Sequence, residues 1–230
     1  MAELILALDL PRGADALTLL DRLPQLRWVK VGSVLMTREG PEFVRILAAR
    51  GLKVFLDLKW HDIPNTVAGA VAAARELGVS LATVHTLGGA AMLEAAAAAG
   101  GSELGLVGVT VLTSHDSTGY GQAVGRSQVN VSQEVERLAS LGARAGLRGF
   151  VCSPHEVSVL RRGLGPDPLI VVPGIRRRSD VVGDQVRVAP AKDAVTNGAT
   201  HLVVGRPVLQ ATDPALTLEE LMKEIRCIAS

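Results

Sequence analysis

Lys53-Val54-Phe55-Leu56-Asp57-Leu58-Lys59-Trp60-His61-Asp62-Ile63-Pro64-Asn65-Thr66 runs from an apolar stretch into two carboxylates, a lysine and a histidine within six residues. A helical pattern then follows at Val67, Ala70, Val71, Ala74 and Leu77. Along an extended chain, Lys53, Phe55, Asp57 and Lys59 point to one side and Val54, Leu56 and Leu58 to the other. The stretch therefore reads as one βα unit: a buried strand with Asp57 and Lys59 projecting together at its end, Asp62 in the connecting turn, and Pro64 in the first turn of a helix. A plainer reading stands beside this one. Asp57 and Lys59 can form a simple ion pair at a strand end, and Asp62 can cap the following helix. Lysine is scarce, however, with five against nineteen arginines. A lysine in an apolar strand is thus a deliberate choice, and a desolvated lysine can tune its pKa where arginine cannot.

Outward from this unit, short apolar runs alternate with longer helical patterns. Strands are expected near 4–9, 26–32, 53–59, 79–84, 104–112, 148–152, 168–173 and 201–205. Runs such as Leu169-Ile170-Val171-Val172 and Leu202-Val203-Val204 lack polar alternation and suit a parallel sheet covered by helices. Eight βα units in 230 residues predict an α/β fold of the (β/α)₈ type, a TIM barrel forming a single domain over residues 1–230, with a doubly wound sheet as the alternative. The alanine-rich segment from Ala90 to Ala99, ended by Gly100-Gly101, reads as an outer helix. Ser114 to Gln128 reads as the longest irregular stretch, either a mobile loop on the catalytic face or surface decoration.

Composition narrows the function. The chain is 48% hydrophobic and 20% charged with a net charge of +1, and only 3% of residues are aromatic. No basic stripe with interleaved aromatics marks a nucleic-acid partner. No apolar segment approaches the ~18 residues of a membrane span, and the N-terminal run ending at Asp9 is a strand rather than a signal peptide. Cys152 and Cys227 have no metal-ligand spacing and read as reduced thiols of a cytoplasmic protein. His85, His115, His155 and His201 also lack ligand spacing and read as structural or surface residues.

In a barrel, strand ends converge on the active site. Asp9 after the first strand, Lys30 near the end of the second, Asp57 and Lys59 on the third and Thr113 after the fifth then form one polar set, although each alone could be a turn, snorkelling or cap residue. The last two strands carry a second set: Pro173-Gly174-Ile175-Arg176, Asp184-Gln185 and Val204-Gly205-Arg206-Pro207. Barrels commonly bind phosphate there through loop amides, a helix N-terminus and arginine. Arg176 and Arg206 offer forked donors, and Gly205 lets the backbone approach an anion.

Five motifs in order, Asp57 to Thr66, Val111-Leu-Thr-Ser114, Pro173 to Arg176, Gly183-Asp-Gln185 and Val204 to Pro207, closely resemble the orotidine 5′-phosphate decarboxylase family of bacterial type, over nearly the whole chain. The departures are small: three consecutive arginines at 176–178, and Ala189 before Pro190 where the family often has a hydroxyl residue. The resemblance implies a homodimeric (β/α)₈ barrel that converts orotidine 5′-phosphate to uridine 5′-phosphate and carbon dioxide, the last step of de novo UMP synthesis, with no metal or organic cofactor. It makes Lys59 the proton donor within a charged network of Lys30, Asp57, Lys59 and Asp62. Asp62 and Thr66, with Ile63 between them as a substrate contact, would reach into the partner subunit's site. Asp9 and Lys30 match ribose-binding positions, Thr113 a pyrimidine contact, and Arg176, Gln185, Gly205 and Arg206 the phosphate grip. Two alternatives share the fold. One is a metal-dependent sugar-phosphate decarboxylase or aldolase, whose second strand ends in a carboxylate where this chain has Lys30. The other is a non-catalytic nucleotide-phosphate binding barrel.

Overall fold

A computed structural model describes residues 2–175, 187 and 190–226. Arg176 and Gln185 of the expected phosphate grip, together with Asp184, Ala189 and Cys227, lie outside the described residues. Eight strands occur in chain order: β1 (Glu3–Ala7), β2 (Trp28–Gly32), β3 (Lys53–Trp60), β4 (Leu81–His85), β5 (Gly105–Val109), β6 (Gly149–Val151), β7 (Leu169–Val172) and β8 (His201–Val204). Each pairs in parallel with the next, and β8 pairs with β1, so the sheet closes into a barrel in strand order one to eight. Closure, and not only the alternation of strand and helix, decides for the (β/α)₈ barrel over the doubly wound sheet.

The two-residue period of each strand sorts its side chains. Ile5, Trp28, Phe55, Leu81, Val107 and Val171 fill the barrel interior. Their neighbours Leu4, Leu6, Val29, Val54, Leu56 and Ala82 face the helices in a separate, larger core. Interior space is tight: a Cβ on Gly149 would run into the Leu169 carbonyl, so only glycine lets β6 and β7 approach this closely. At the bottom of the barrel, the His201 ring meets Trp28 edge-on at 5.2 Å between centroids, and the Lys53 ammonium lies 5.2 Å from the Trp28 ring. Burial first, then the Lys53 charge, lower the His201 pKa from 6.5 to about 4.

The helix expected after β3 spans Pro64–Glu76 and buries Val67, Val71 and Ala74, with Pro64 in its first turn. The alanine-rich helix spans Gly89–Gly100. Ser114 to Gln128 differs from expectation, because it contains a helix, Ser117–Ala123. Asp116 caps it, accepting a hydrogen bond from the Gly119 amide at 2.7 Å, and buried Tyr120 donates to Glu134 Oε1 at 3.1 Å. Gly119, Gly121 and Gly125 argue locally for a loop, but Gly121 serves packing: a Cβ there would strike the Arg126 carbonyl. The tertiary anchor on Glu134, which also accepts from Arg126 and Arg137, outweighs the weak helix propensity. Among the described residues no helix is long and apolar enough to cross a membrane.

Candidate active site

A cavity of about 690 Å³ opens at the C-terminal ends of the strands, where the barrel fold places its active sites. Seven expected residues line it: Asp9, Lys30, Asp57, Lys59, Thr113, Gly205 and Arg206. They come from five separate strand ends, and the inward parity of the interior layer explains their convergence. Lys30 continues the inward series from Trp28, and Asp57 continues that from Phe55.

The centre of the cavity is a chain of charges. Lys30 Nζ lies 3.1 Å from Asp9 Oδ1 and 3.6 Å from Asp57 Oδ2, and Lys59 Nζ donates to Asp57 Oδ1 at 2.9 Å. Burial opposes ionisation of the Asp57 carboxyl. The charges of Lys30 and Lys59 and the hydrogen bonds from Lys59 and Thr83 outweigh it and hold the group below its ordinary range. The carboxylate thus stays charged and keeps both ammonium groups in place. With Arg206, the described lining residues carry three cations against two carboxylates, a balance suited to an anionic ligand.

Regular alternation is not what orients Lys59. The pairing of β3 with β4 slips between Leu56 and Trp60, and Lys59 adopts φ 52°, the single left-handed conformation of a non-glycine residue among those described. Such a backbone costs about 1–3 kcal/mol and persists only where neighbours hold it. Thr83 on β4 is that neighbour. Its fully buried hydroxyl accepts from the Lys59 amide at 2.8 Å and donates to Asp57 Oδ1 at 3.1 Å, tying the backbone of one charged residue to the side chain of the other. Thr83 was not among the residues expected at the site. Its signal was the inward parity it shares with Leu81, a hydroxyl on the interior face of an apolar strand.

Asp62, Ile63 and Thr66 do not line the cavity of this chain. All three are exposed at the start of the Pro64–Glu76 helix, Ile63 at 67%. Asp62 does not cap that helix; its Oδ1 accepts from the Ile63 amide at 2.6 Å, one residue before Pro64. At the other rim, a Cβ on Gly205 would lie 3.6 Å from Asp9 Oδ2, so any side chain there would intrude on the cavity. The helix following Gly205, Arg206–Leu209, is a single turn, which leaves Arg206 itself as the main cationic contribution of β8. His61 and His85 stack at 5.4 Å between centroids beside the site, and burial, His61 and Lys59 together push the His85 pKa down to about 4.

Comparison with known proteins agrees with this geometry. The model of the orotidine 5′-phosphate decarboxylase / HUMPS family matches residues 2–221. The chain is 47% identical over 227 residues to the orotidine 5′-phosphate decarboxylase of Halorhodospira halophila, covering 97% of this chain and 95% of that protein. It is likewise 47% identical over 229 residues to that of Alkalilimnicola ehrlichii, covering 97% and 96%. Its fold superposes on the crystal structure of orotidine 5′-phosphate decarboxylase from Lactobacillus acidophilus with a TM-score of 0.86 at 35% identity, covering 98% of this chain and 99% of that one. An ordered array of lysines and aspartates at the mouth of an eight-stranded barrel, matched in sequence over nearly the full length, places the chain in the orotidine 5′-phosphate decarboxylase / HUMPS family.

Proposed function

We propose that this protein decarboxylates orotidine 5′-phosphate to uridine 5′-phosphate and carbon dioxide in pyrimidine biosynthesis, that residues 1–230 form one catalytic domain, and that Lys59 protonates C6. The observation that carries the reading is the pairing of Lys59 with a buried, ionised Asp57 that Lys30 and Thr83 fix from the other sides. Cleavage of the bond from C6 to the carboxyl group leaves an electron pair in the plane of the ring, where the π system delocalises it poorly. The best enzymes lower barriers of this kind by up to about 23 kcal/mol. An ammonium held beside C6 stabilises the developing charge before it forms, then gives C6 its proton and recovers one from solvent. Asp57 pairs with that ammonium and holds it in place, and Lys30 anchors Asp57 from the other side.

The rest of the cavity suits the remainder of the nucleotide. Asp9 and Lys30 face the ribose, Thr113 faces the pyrimidine, and Gly205 and Arg206 hold the phosphate together with Arg176 and Gln185. Binding energy from the remote phosphate then serves to enclose the reacting ring. Lys30 counts against the metal-dependent sugar-phosphate reading, because its ammonium occupies the place between Asp9 and Asp57 that a divalent cation would need. The chemistry requires neither metal nor organic cofactor.

The working unit in this reading is a cytoplasmic homodimer. Asp62 and Thr66 stand exposed outside their own cavity, as residues serving the partner's site would, and Ile63 presents an apolar surface beside them. Ultraviolet absorbance in chelator-containing buffer tests the reaction: orotidine 5′-phosphate is consumed rapidly, orotidine without the phosphate is not, and Lys59→Ala abolishes turnover. No conversion by folded protein refutes the activity, and turnover retained in Lys59→Ala refutes the proton-donor role. Mixing inactive Lys59→Ala and Asp62→Ala subunits restores partial activity, since one site of each heterodimer is intact. Absence of recovery after demonstrated subunit exchange refutes the shared site.

A further inference from the structure

We infer that Arg187, which no sequence motif singled out, is a positioning residue for the base-binding side of the cavity. Its guanidinium is almost wholly buried and spans two strand ends. Nη1 donates to Glu156 Oε1 at 2.6 Å, and Nη2 donates to the carbonyls of Val111 at 3.3 Å and Leu112 at 3.2 Å. Glu156 is itself buried in the turn after β6, where its other oxygen accepts from the Ser153 amide at 3.0 Å and from the Ser153 hydroxyl. Val111, Leu112 and Thr113 all line the cavity. The Leu112 carbonyl also accepts from the His115 amide at 3.0 Å, closing the turn in which Thr113 sits.

Arg187 therefore locks the first carbonyl of that turn to a carboxylate anchored on the neighbouring strand end. Only a planar, forked donor can serve a carboxylate and two carbonyls at once; a lysine supplies the charge but not the fork. Arg187 does not line the cavity, so any influence on ligand binding runs through the Val111–Thr113 backbone. The inference rests on the nucleotide reading of the cavity, and it divides the site: the β5 rim, set by Arg187, holds the base, while Gly205 and Arg206 just after β8 hold the phosphate.

Calorimetric titration with uridine 5′-phosphate and with ribose 5-phosphate tests this division. Arg187→Lys is expected to weaken uridine 5′-phosphate binding about tenfold, as loss of hydrogen bonds to a charged group does, and to leave ribose 5-phosphate binding within about twofold. Thr113→Ala should cost markedly less in the Arg187→Lys background than in the wild type, because the turn is already displaced. Glu156→Gln, which removes the charge pair from the other side, should reproduce the pattern and serves where Arg187→Lys does not fold by circular dichroism. Equal losses for both ligands, unchanged uridine 5′-phosphate affinity, or additive effects of Thr113→Ala overturn the inference. A wild-type protein that binds neither ligand overturns the nucleotide reading instead, a result visible before any variant is made.

Discussion

Thr83→Val isolates how the lysine is held in place. Valine keeps the side chain's volume and β-branching but removes the hydroxyl that joins the Lys59 amide to the Asp57 carboxylate. Two consequences follow. A partly buried amide loses its partner, which costs about 1 kcal/mol of stability or more. The left-handed backbone at Lys59, itself strained by about 1–3 kcal/mol, loses the bond that holds it and can relax toward an extended conformation. A loss of about 2 kcal/mol in Lys59 placement corresponds to a roughly 30-fold fall in kcat. KM should change little, because Thr83 is fully buried and does not line the cavity. Thr83→Ser retains the hydroxyl and should keep kcat within a few-fold of wild type. Steady-state decarboxylation kinetics of both variants, with thermal melts to verify folding, provide the assay; in a domain of this size each kcal/mol lowers Tm by about 2–4 °C. A Thr83→Val enzyme with kcat near wild type, or a Thr83→Ser enzyme equally impaired, would show that Lys59 needs no such support.

Asp57→Asn removes the negative charge lying 2.9 Å from Lys59 and 3.6 Å from Lys30 and leaves the two ammonium groups facing a neutral amide. Rapid-quench kinetics should show the chemical step slowed by about 10²–10³-fold, the scale of losing one preorganised electrostatic partner; an effect under tenfold argues against the charge chain. His201 governs part of the acid stability. Its folded pKa of about 4 lies below the unfolded 6.5, so its contribution is full above pH 6.5 and is lost as pH falls to 4, by up to about 3 kcal/mol. Urea denaturation across that window should show a shallower decline for His201→Phe than for wild type, and identical slopes would remove His201 as the cause.

The sequence determined the outline of this protein because the signals involved are local. Short continuous apolar runs and helical patterns with a 3.6-residue period mark eight βα units, and parity along a strand already turns Lys30, Asp57 and Thr83 inward. The motif from Asp57 to Thr66 places its charges within a few residues of one strand end, so Lys59 and Asp57 were legible without coordinates. Tertiary structure decided what depends on distant segments. Thr83 meets Asp57 across 26 positions of chain, and Arg187 reaches Leu112 across 75 and Glu156 across 31. Inward parity marks Thr83 as facing the interior but not which group it meets, and no local pattern sets Arg187 apart from the other arginines. The slipped register of β3 and the left-handed Lys59 are likewise invisible in composition, since they arise where β3 must pair with β4 and still aim a charged side chain into the barrel mouth. Closure of the sheet brings these groups within hydrogen-bonding distance, and burial then makes each of those bonds costly to break.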